Sequence, residues 1–554
     1  MATDSQKRRG AFYTPKAIAS FLVNWSIRSP HDAVFDPGYG EAIFLLEAYR
    51  RLVELGARRE EALNQLYGIE LHPEAYRRGL ELLEKSIGVR PSQMFNLNFF
   101  TAGDLLSPHI PFVDAIVGNP PYVRYHHFSG ADRTLALNAA RRANVHLPQL
   151  ASSWAPYLVH AVTFLKERGR LAMVLPGELL DVNYADAVRE FLLKTFGEVT
   201  IITFEKRIFP EVLEETIFIL ADRKGDRDGL RVIRLNDLGD LQRFEEIASR
   251  APPVRIPEPQ AKWLKYLLSD EEHRLYEELI KREEVIDLGE VAKIDIGVVT
   301  GNNRFFLLTS DEITQWGIEP EFYHRAIRKA ADIPGLLFTE AHWEGLRARG
   351  EKCFILKVDL SPERLKHYHV WNYIAHGEEL GVPKAYKCRT RKPWYAVPYI
   401  RVPYAFLTYM AHDVPRLVLN EARAVNPNTI HGVYFKSVDQ ARILALVVAF
   451  YNTLSLLSAE LVGRSYGGGV LKLETKEAEA MKIVDLDDEA MIRRLNTIAR
   501  QVDQLLRERR ADEAIKMVDQ IILKDYLKLD DRAMELLQRA YRSMRAKRLA
   551  RSSS

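Results

Sequence analysis

Asn119-Pro120-Pro121-Tyr122 follows directly on the apolar run Val113-Asp114-Ala115-Ile116-Val117-Gly118. A buried strand that ends in Asn-Pro-Pro-aromatic can hold a planar amine for methylation. The Asn119 side-chain oxygen and the Pro120 carbonyl can each accept one hydrogen from an exocyclic NH2. The prolines restrict φ, so that carbonyl is aimed before a substrate arrives. Tyr122 offers a flat face on which a heterocycle can stack. The competing reading is a loop without chemistry, since Pro-Pro often only punctuates a turn.

Three acids precede this motif, each at an expected strand end. Asp36 lies in Val34-Phe35-Asp36-Pro37-Gly38-Tyr39-Gly40, ahead of the apolar helix expected over Ala42–Val53. A small ligand can approach backbone at Gly38 and Gly40, and the acid favours a cationic or hydroxyl-bearing ligand over a phosphate. Glu70 closes Leu66-Tyr67-Gly68-Ile69, the place where an acid commonly binds ribose hydroxyls. Asp104, in Ala102-Gly103-Asp104-Leu105-Leu106, can accept from an exocyclic amine. Each acid taken singly also reads as ordinary strand-end decoration, but their shared order is harder to dismiss. Upstream, Phe12-Tyr13-Thr14-Pro15 leads into the stripe Ile18, Phe21, Leu22, Trp25. Thr14 is a good N-cap and Pro15 a good first helical residue, and such an N-terminus can also bind a carboxylate.

The elements that must position these residues alternate to about Lys224. Strands are expected at 33–35, 65–69, 114–117, 170–175, 199–204 and 216–220, the last two as an antiparallel pair. Helices should follow Thr14, Gly40, Pro73 and Ser152. The pattern is α/β: a Rossmann-like domain with a mostly parallel sheet and an antiparallel end hairpin. A proline-rich linker is expected over 250–260. Strand-like pieces, aromatics and turn residues then dominate to roughly Lys482, which reads as a mixed α+β domain. A charged helical tail follows, with a frayed basic end from Arg545. The expected domains are thus 1–250, 251–484 and 485–554.

Composition is that of an ordinary globular chain, with 47% hydrophobic and 28% charged residues among 554. The net charge of +3 requires any nucleic-acid surface to come from local clustering. The two cysteines, Cys353 and Cys388, have no metal-ligand or disulfide spacing, so no metal is expected and a reducing cytoplasm fits. No secretory signal and no membrane-spanning apolar run is read.

In this order, the segments resemble the gamma-class amino-methyltransferases of DNA, the group typified by the TaqI and Eco57I enzymes. The match runs from about residue 8 to 484. The resemblance implies S-adenosylmethionine as cofactor, held by Tyr13, Thr14, Asp36, Gly38, Gly40, Glu70, Asp104 and Asn119. It implies that Asn119, Pro120, Pro121 and Tyr122 act on an adenine N6 flipped out of double-stranded DNA. Phe209, in Ile208-Phe209-Pro210, resembles the aromatic that closes on the other face of the base. One departure is Gly40-Glu41-Ala42, where the family usually has Gly-x-Gly. Ala42 is harmless if its φ is negative; otherwise cofactor binding is weakened.

The second half continues the likeness. Gly297 to Phe306 resembles the opening of a target recognition domain, and Gly463 to Gly469 a later part of it. Lys387, Arg389, Arg391, Lys392, Trp394 and Tyr395 resemble its basic-aromatic loop, expected to contact DNA together with Arg124. Arg133, Arg141 and Arg142 are further candidates for holding the strand, whereas His126 and His127 read as loop residues. The expected role is that of a modification enzyme, with a separate restriction endonuclease as a possible partner. The motifs begin too early to leave room for a nuclease, and the tail shows no acid-lysine cluster. Methylation of cytosine N4, of RNA adenine or of a glutamine amide stays open, as does a DNA-binding subunit with weak catalysis.

Overall fold

A computed structural model describes residues 14–103, 110–123, 128–206, 208–209, 216–222, 229–254, 256, 262–466 and 468–549. The chain divides into two compact units, Met1–Leu267 and Leu268–Ser553.

The first unit is built on an eight-stranded sheet. Its strands are β1 (Val34–Asp36), β2 (Leu66–Glu70), β3 (Met94–Asn96), β4 (Val113–Gly118), β5 (Leu165–Pro176), β6 (Glu198–Phe204), β7 (Thr216–Asp222) and β8 (Gly229–Leu235), in the order 3-2-1-4-5-7-6-8. β1 through β5 pair in parallel; β7 lies antiparallel between β5 and β6. The mostly parallel sheet with an antiparallel pair at its end is therefore as expected. β8 adds a parallel edge that sequence did not suggest. Its alternation of Arg231, Arg234 and apolar residues reflects an edge strand solvated on one face, a weaker signal than the buried runs of β4 and β7. β3 was also missed, being three residues long.

The expected helices form at Lys16–Ser26 (α1), Ile43–Glu54 (α2), Pro73–Ile87 (α3) and Trp154–Val162 (α4). α1 buries Ile18, Ala19, Leu22, Val23 and Ser26, one face at helical spacing, against the sheet. α3 begins with Pro73 at its first position and stops at Gly88, whose φ of 90° ends the helix. The order reverses at β1, since the chain runs outward to β2 and β3 on one side and returns to β4 on the other. That reversal opens a crevice at the carboxyl ends of β1 and β4.

The expected linker over 250–260 begins inside this unit. Val254 exchanges both backbone hydrogen bonds with Leu230, and Trp263, fully buried, donates its backbone N–H to Leu180 O at 2.8 Å. The first unit thus runs to Leu267 and not to residue 250.

In the second unit, a five-stranded sheet runs Ala292–Ile296, Ile430–Phe435, Ala405–Thr408, Leu417–Asn420, Leu337–Phe338. The segment after residue 485 is not a separate extension. Helices Glu489–Arg507 and Asp531–Leu549 pack on Gln440–Ala449 and Thr453–Val462. Arg545, expected in a frayed end, pairs with Asp512 and Asp413, and the helix holds through Leu549. Among the described residues, no single helix is long and apolar enough to cross a membrane; the apolar pair 440–449 and 453–462 is bent by 72° and largely buried.

Candidate active site

The crevice at the ends of β1, β2 and β4 holds a cavity of about 410 Å³. Thr14, Gly38, Gly40, Glu70, Asn119 and Pro121, all singled out from sequence, line it. Thr14 and Asn119, 105 residues apart, are thereby brought together at one cavity.

Asp36 lies at the end of β1, 1% exposed, just before the lining residues Pro37 and Gly38 and not itself among them. Its Oδ1 accepts from Gly38 N at 3.2 Å. Among the described residues no donor reaches Oδ2. Burial holds the Asp36 carboxyl well above the usual carboxylate range, and the nearby Glu70 adds to this. An unsatisfied buried oxygen of this kind is costly unless a ligand supplies a donor. Gly38 passes under the Tyr157 hydroxyl: a Cβ there would lie 2.3 Å from that oxygen, so only glycine fits. Burial, with Asp36 and Glu70 next, keeps the Tyr157 phenol protonated.

Glu70 organises a further part of the lining. Its Oε2 accepts from Gly40 N at 3.0 Å and its Oε1 from His72 N at 2.8 Å. Asn96 Nδ2 donates to the Glu70 carbonyl at 2.7 Å, tying β3 to the tip of β2. The carboxylate is thus fixed at the cavity wall with lone pairs left for ligand hydroxyls. Leu71, 47% exposed, and Phe100 supply apolar surface beside it.

Ala42 does not meet the condition set for a harmless replacement. Its φ is +61°, left-handed, and it forms the N-cap of α2. Its N–H donates to Tyr39 O at 2.6 Å, which closes the turn. The methyl group is fully buried in the core and does not line the cavity. The departure from glycine therefore strains the backbone without narrowing the ligand's space.

At the end of β4, the Asn119 carboxamide is held from two sides. Its Nδ2 donates to Thr14 Oγ1 at 3.2 Å, and its Oδ1 accepts from Tyr122 OH at 2.7 Å. Thr14 itself precedes α1 without capping it; the N-cap is Pro15. Ser153 fixes the proline corner: its Oγ donates to Pro121 O at 2.5 Å and accepts from Val123 N at 2.9 Å. Among the described residues no donor is bonded to the Pro120 carbonyl oxygen.

Several expected site residues lie elsewhere. Phe209 is 4% exposed and lies outside the cavity lining, because its ring and Ile208 find the hydrophobic core of the first unit. Tyr13, Asp104 and Arg124, with His126 and His127, fall outside the described residues. Arg142 donates to Phe100 O at 3.2 Å and Arg141 to Asn138. In the second unit Lys387, Arg389 and Lys392 are exposed, the first two over the ring of Tyr386. The rest of that loop turns inward. Arg391 Nη1 donates to Thr300 O at 2.7 Å and Nη2 to Val299 O. Tyr395 is 2% exposed with its hydroxyl on Leu360 O, and Trp394 packs on Phe305. Tyr395 thus belongs to the core, while Trp394 is only partly covered by it.

Sequence reasoning missed Tyr157, Ser153 and the Asn98–Asp132 hydrogen bond (2.9 Å), all at the cavity. The signal for α4 was only its apolar run, which says nothing of which face meets β1.

Two family models match the chain. N-6 DNA Methylase covers residues 1–293, more than half of the sequence. This chain belongs to the N-6 DNA methylase family. Residues 260–523 match the C-terminal domain of Type II methyltransferase M.Eco57I. Among relatives of this N-6 DNA methylase, Type II methyltransferase M.AccI of Acinetobacter calcoaceticus is 21% identical, covering 95% of each chain. Type II methyltransferase M.XamI of Xanthomonas campestris pv. amaranthicola is 24% identical over 87% of this chain and 86% of its own. In fold, the methylase is similar to the type IIL restriction-modification enzyme MmeI, solved in complex with DNA: TM-score 0.55, 13% identity, 96% of this chain and 75% of that one. A nuclease-deletion mutant of the type ISP enzyme LlaGI gives TM-score 0.51 at 12% identity, over 89% of this chain and 54% of that one. The gamma-class resemblance read from the motifs is thereby confirmed at the level of family and fold.

Proposed function

We propose that this methyltransferase modifies the N6 amine of an adenine extruded from double-stranded DNA, as the modification component of a restriction-modification system. The observation that carries the reading is the corner at the end of β4, where Asn119, its carboxamide held between Thr14 and Tyr122, lines a cavity that Glu70 also lines. The residues fit S-adenosylmethionine. Among the described residues Asp36 Oδ2 lacks a donor, Gly38 and Gly40 bring bare backbone to the cavity, and Glu70 is pinned at its lining to meet hydroxyls. When bound, S-adenosylmethionine supplies a methyl group activated by its sulfonium.

The chain's own task is to make a poor nucleophile reactive. The adenine N6 lone pair is delocalised into the ring. Asn119 Oδ1 and Pro120 O, each accepting one amine hydrogen, favour a tetrahedral nitrogen and release that lone pair. No general base is assigned. A base within the duplex cannot reach this pocket, and extrusion costs a few kcal/mol. The Lys387 and Arg389 side chains supply phosphate contacts in this reading.

The same corner clamps the N4 amine of cytosine equally well, so one measurement decides the base. Incubation with S-adenosylmethionine and unmethylated DNA of complex sequence, followed by nucleoside mass spectrometry, should yield N6-methyladenine. N4-methylcytosine would reassign the substrate, and no methylated base would leave a binding subunit. Asn119→Ala should abolish product while S-adenosylmethionine still binds; near-normal turnover in that variant would refute the assigned role.

A further inference from the structure

The stretch Leu380–His412 contains six cations (Lys384, Lys387, Arg389, Arg391, Lys392 and Arg401) and not one carboxylate. Arg391 is committed to backbone carbonyls; the other five are exposed. Within this stretch stands Tyr399, 85% exposed, at φ +60°. Among the described residues its ring and hydroxyl have no partner. The loop that carries it is anchored on both sides. Val397 is 2% exposed, Ile400 packs on the core, and Tyr404 N donates to Val433 O at 3.0 Å.

A single exposed aromatic needs no explanation. A bulky side chain in the left-handed region is a separate cost, and strain of this kind persists where a function uses it. Tyr399 combines both costs at one anchored position, and among the described residues no contact of its side chain offsets either. The charge of the stretch that carries it points to the partner: a run of cations without carboxylates suits a polyanion, and an aromatic face suits a base.

We propose that Tyr399 is an aromatic contact of the second unit to double-stranded DNA, its ring stacking on bases at an opened step while the neighbouring cations meet phosphates. The inference rests on the DNA reading given above and deepens it with a contact that is not electrostatic. Stacking of this type tolerates any base, so Tyr399 contributes affinity and not sequence choice.

The test uses the full chain and a fluorescent mixed-sequence duplex, with binding measured over a range of salt. Tyr399→Gly should weaken binding about tenfold, the loss of one base–aromatic stack. Its melting temperature should stay level or rise, because glycine accepts the left-handed backbone. Its salt slope should match the parent's, since no phosphate contact is lost, whereas Arg401→Gln should reduce the slope by about one. Tyr399→Asn, which also tolerates this backbone, should fall with the glycine variant, and Tyr399→Phe should bind within about twofold of the parent. A parent chain that does not bind duplex overturns the DNA reading and this inference together. Parent-like binding by folded Tyr399→Gly, or loss through an altered salt slope, overturns the inference alone.

Discussion

The carboxamide nitrogen of Asn119 donates to the Thr14 hydroxyl across 3.2 Å, joining residues 105 positions apart. With its nitrogen committed there, the amide turns its oxygen toward Tyr122 and the corner at which an amine would be gripped. Thr14 is therefore a positioning residue in this arrangement. Thr14→Val keeps the shape and removes the acceptor; it should lower kcat about tenfold, the scale of one hydrogen bond, with the cofactor KM within about twofold. Thr14→Ser should restore the parent rate. A raised KM at unchanged kcat would instead place Thr14 in cofactor binding.

The strained Ala42 separates backbone cost from ligand space. Ala42→Gly relieves about 1 kcal/mol of left-handed strain. It also removes a buried methyl worth about 0.8 kcal/mol and loosens the unfolded chain. Denaturant unfolding should therefore shift by less than about 1 kcal/mol. Because the methyl faces the core, titration calorimetry should give an S-adenosylmethionine affinity within about twofold of the parent's. A tenfold gain would mean that the methyl obstructs the cofactor.

Asp519 links the helix Ala511–Asp519 to Thr453, accepting from its N–H at 2.7 Å and its hydroxyl at 2.6 Å. Burial pushes its carboxyl up to about 6 from 3.8, although the Thr453 bonds pull the other way. The folded unit thus binds a proton more tightly than the unfolded chain. That contribution is fully present below pH 4 and is lost as pH rises through about 6, on the order of 3 kcal/mol in all. Asp519→Asn should remove this part of the slope. An identical pH dependence in parent and variant would assign the titration elsewhere.

Arg548 makes the last helix part of the second unit's interior. Its guanidinium meets both Glu460 oxygens, at 2.8 and 2.7 Å, and donates to the carbonyls of His412, Asp413 and Gly469. Both partners are 3% exposed. Arg548→Met strands the Glu460 carboxylate and should cost about 3–5 kcal/mol in denaturant unfolding. A change under about 1 kcal/mol would return this helix to the status of an appendage.

The motifs were legible because their chemistry is local. Asn119-Pro120-Pro121-Tyr122 after an apolar run, Asp36 with Gly38 and Gly40, and Glu70 at a strand tip each announce a strand end by residue type alone. The helices at 16–26 and 73–87 were legible from apolar spacing and a proline start. The basic loop was legible only in part, for the complementary reason: Lys387 and Arg389 face solvent as expected, but Arg391, Trp394 and Tyr395 look the same in sequence whether they face solvent or core. Only Arg391's carbonyl partners and the room around Tyr395 turned part of that loop inward.

By itself the sequence determined which residue types meet at strand ends and in what chain order, since turn chemistry and hydrophobic period depend on near neighbours. The tertiary structure alone decided that Thr14 orients Asn119, that Tyr157 roofs Gly38, that Ala42 is left-handed and that the last helix belongs to the second unit. Those outcomes depend on contacts between residues far apart in the chain, where burial and the need to satisfy each buried polar atom select the partner.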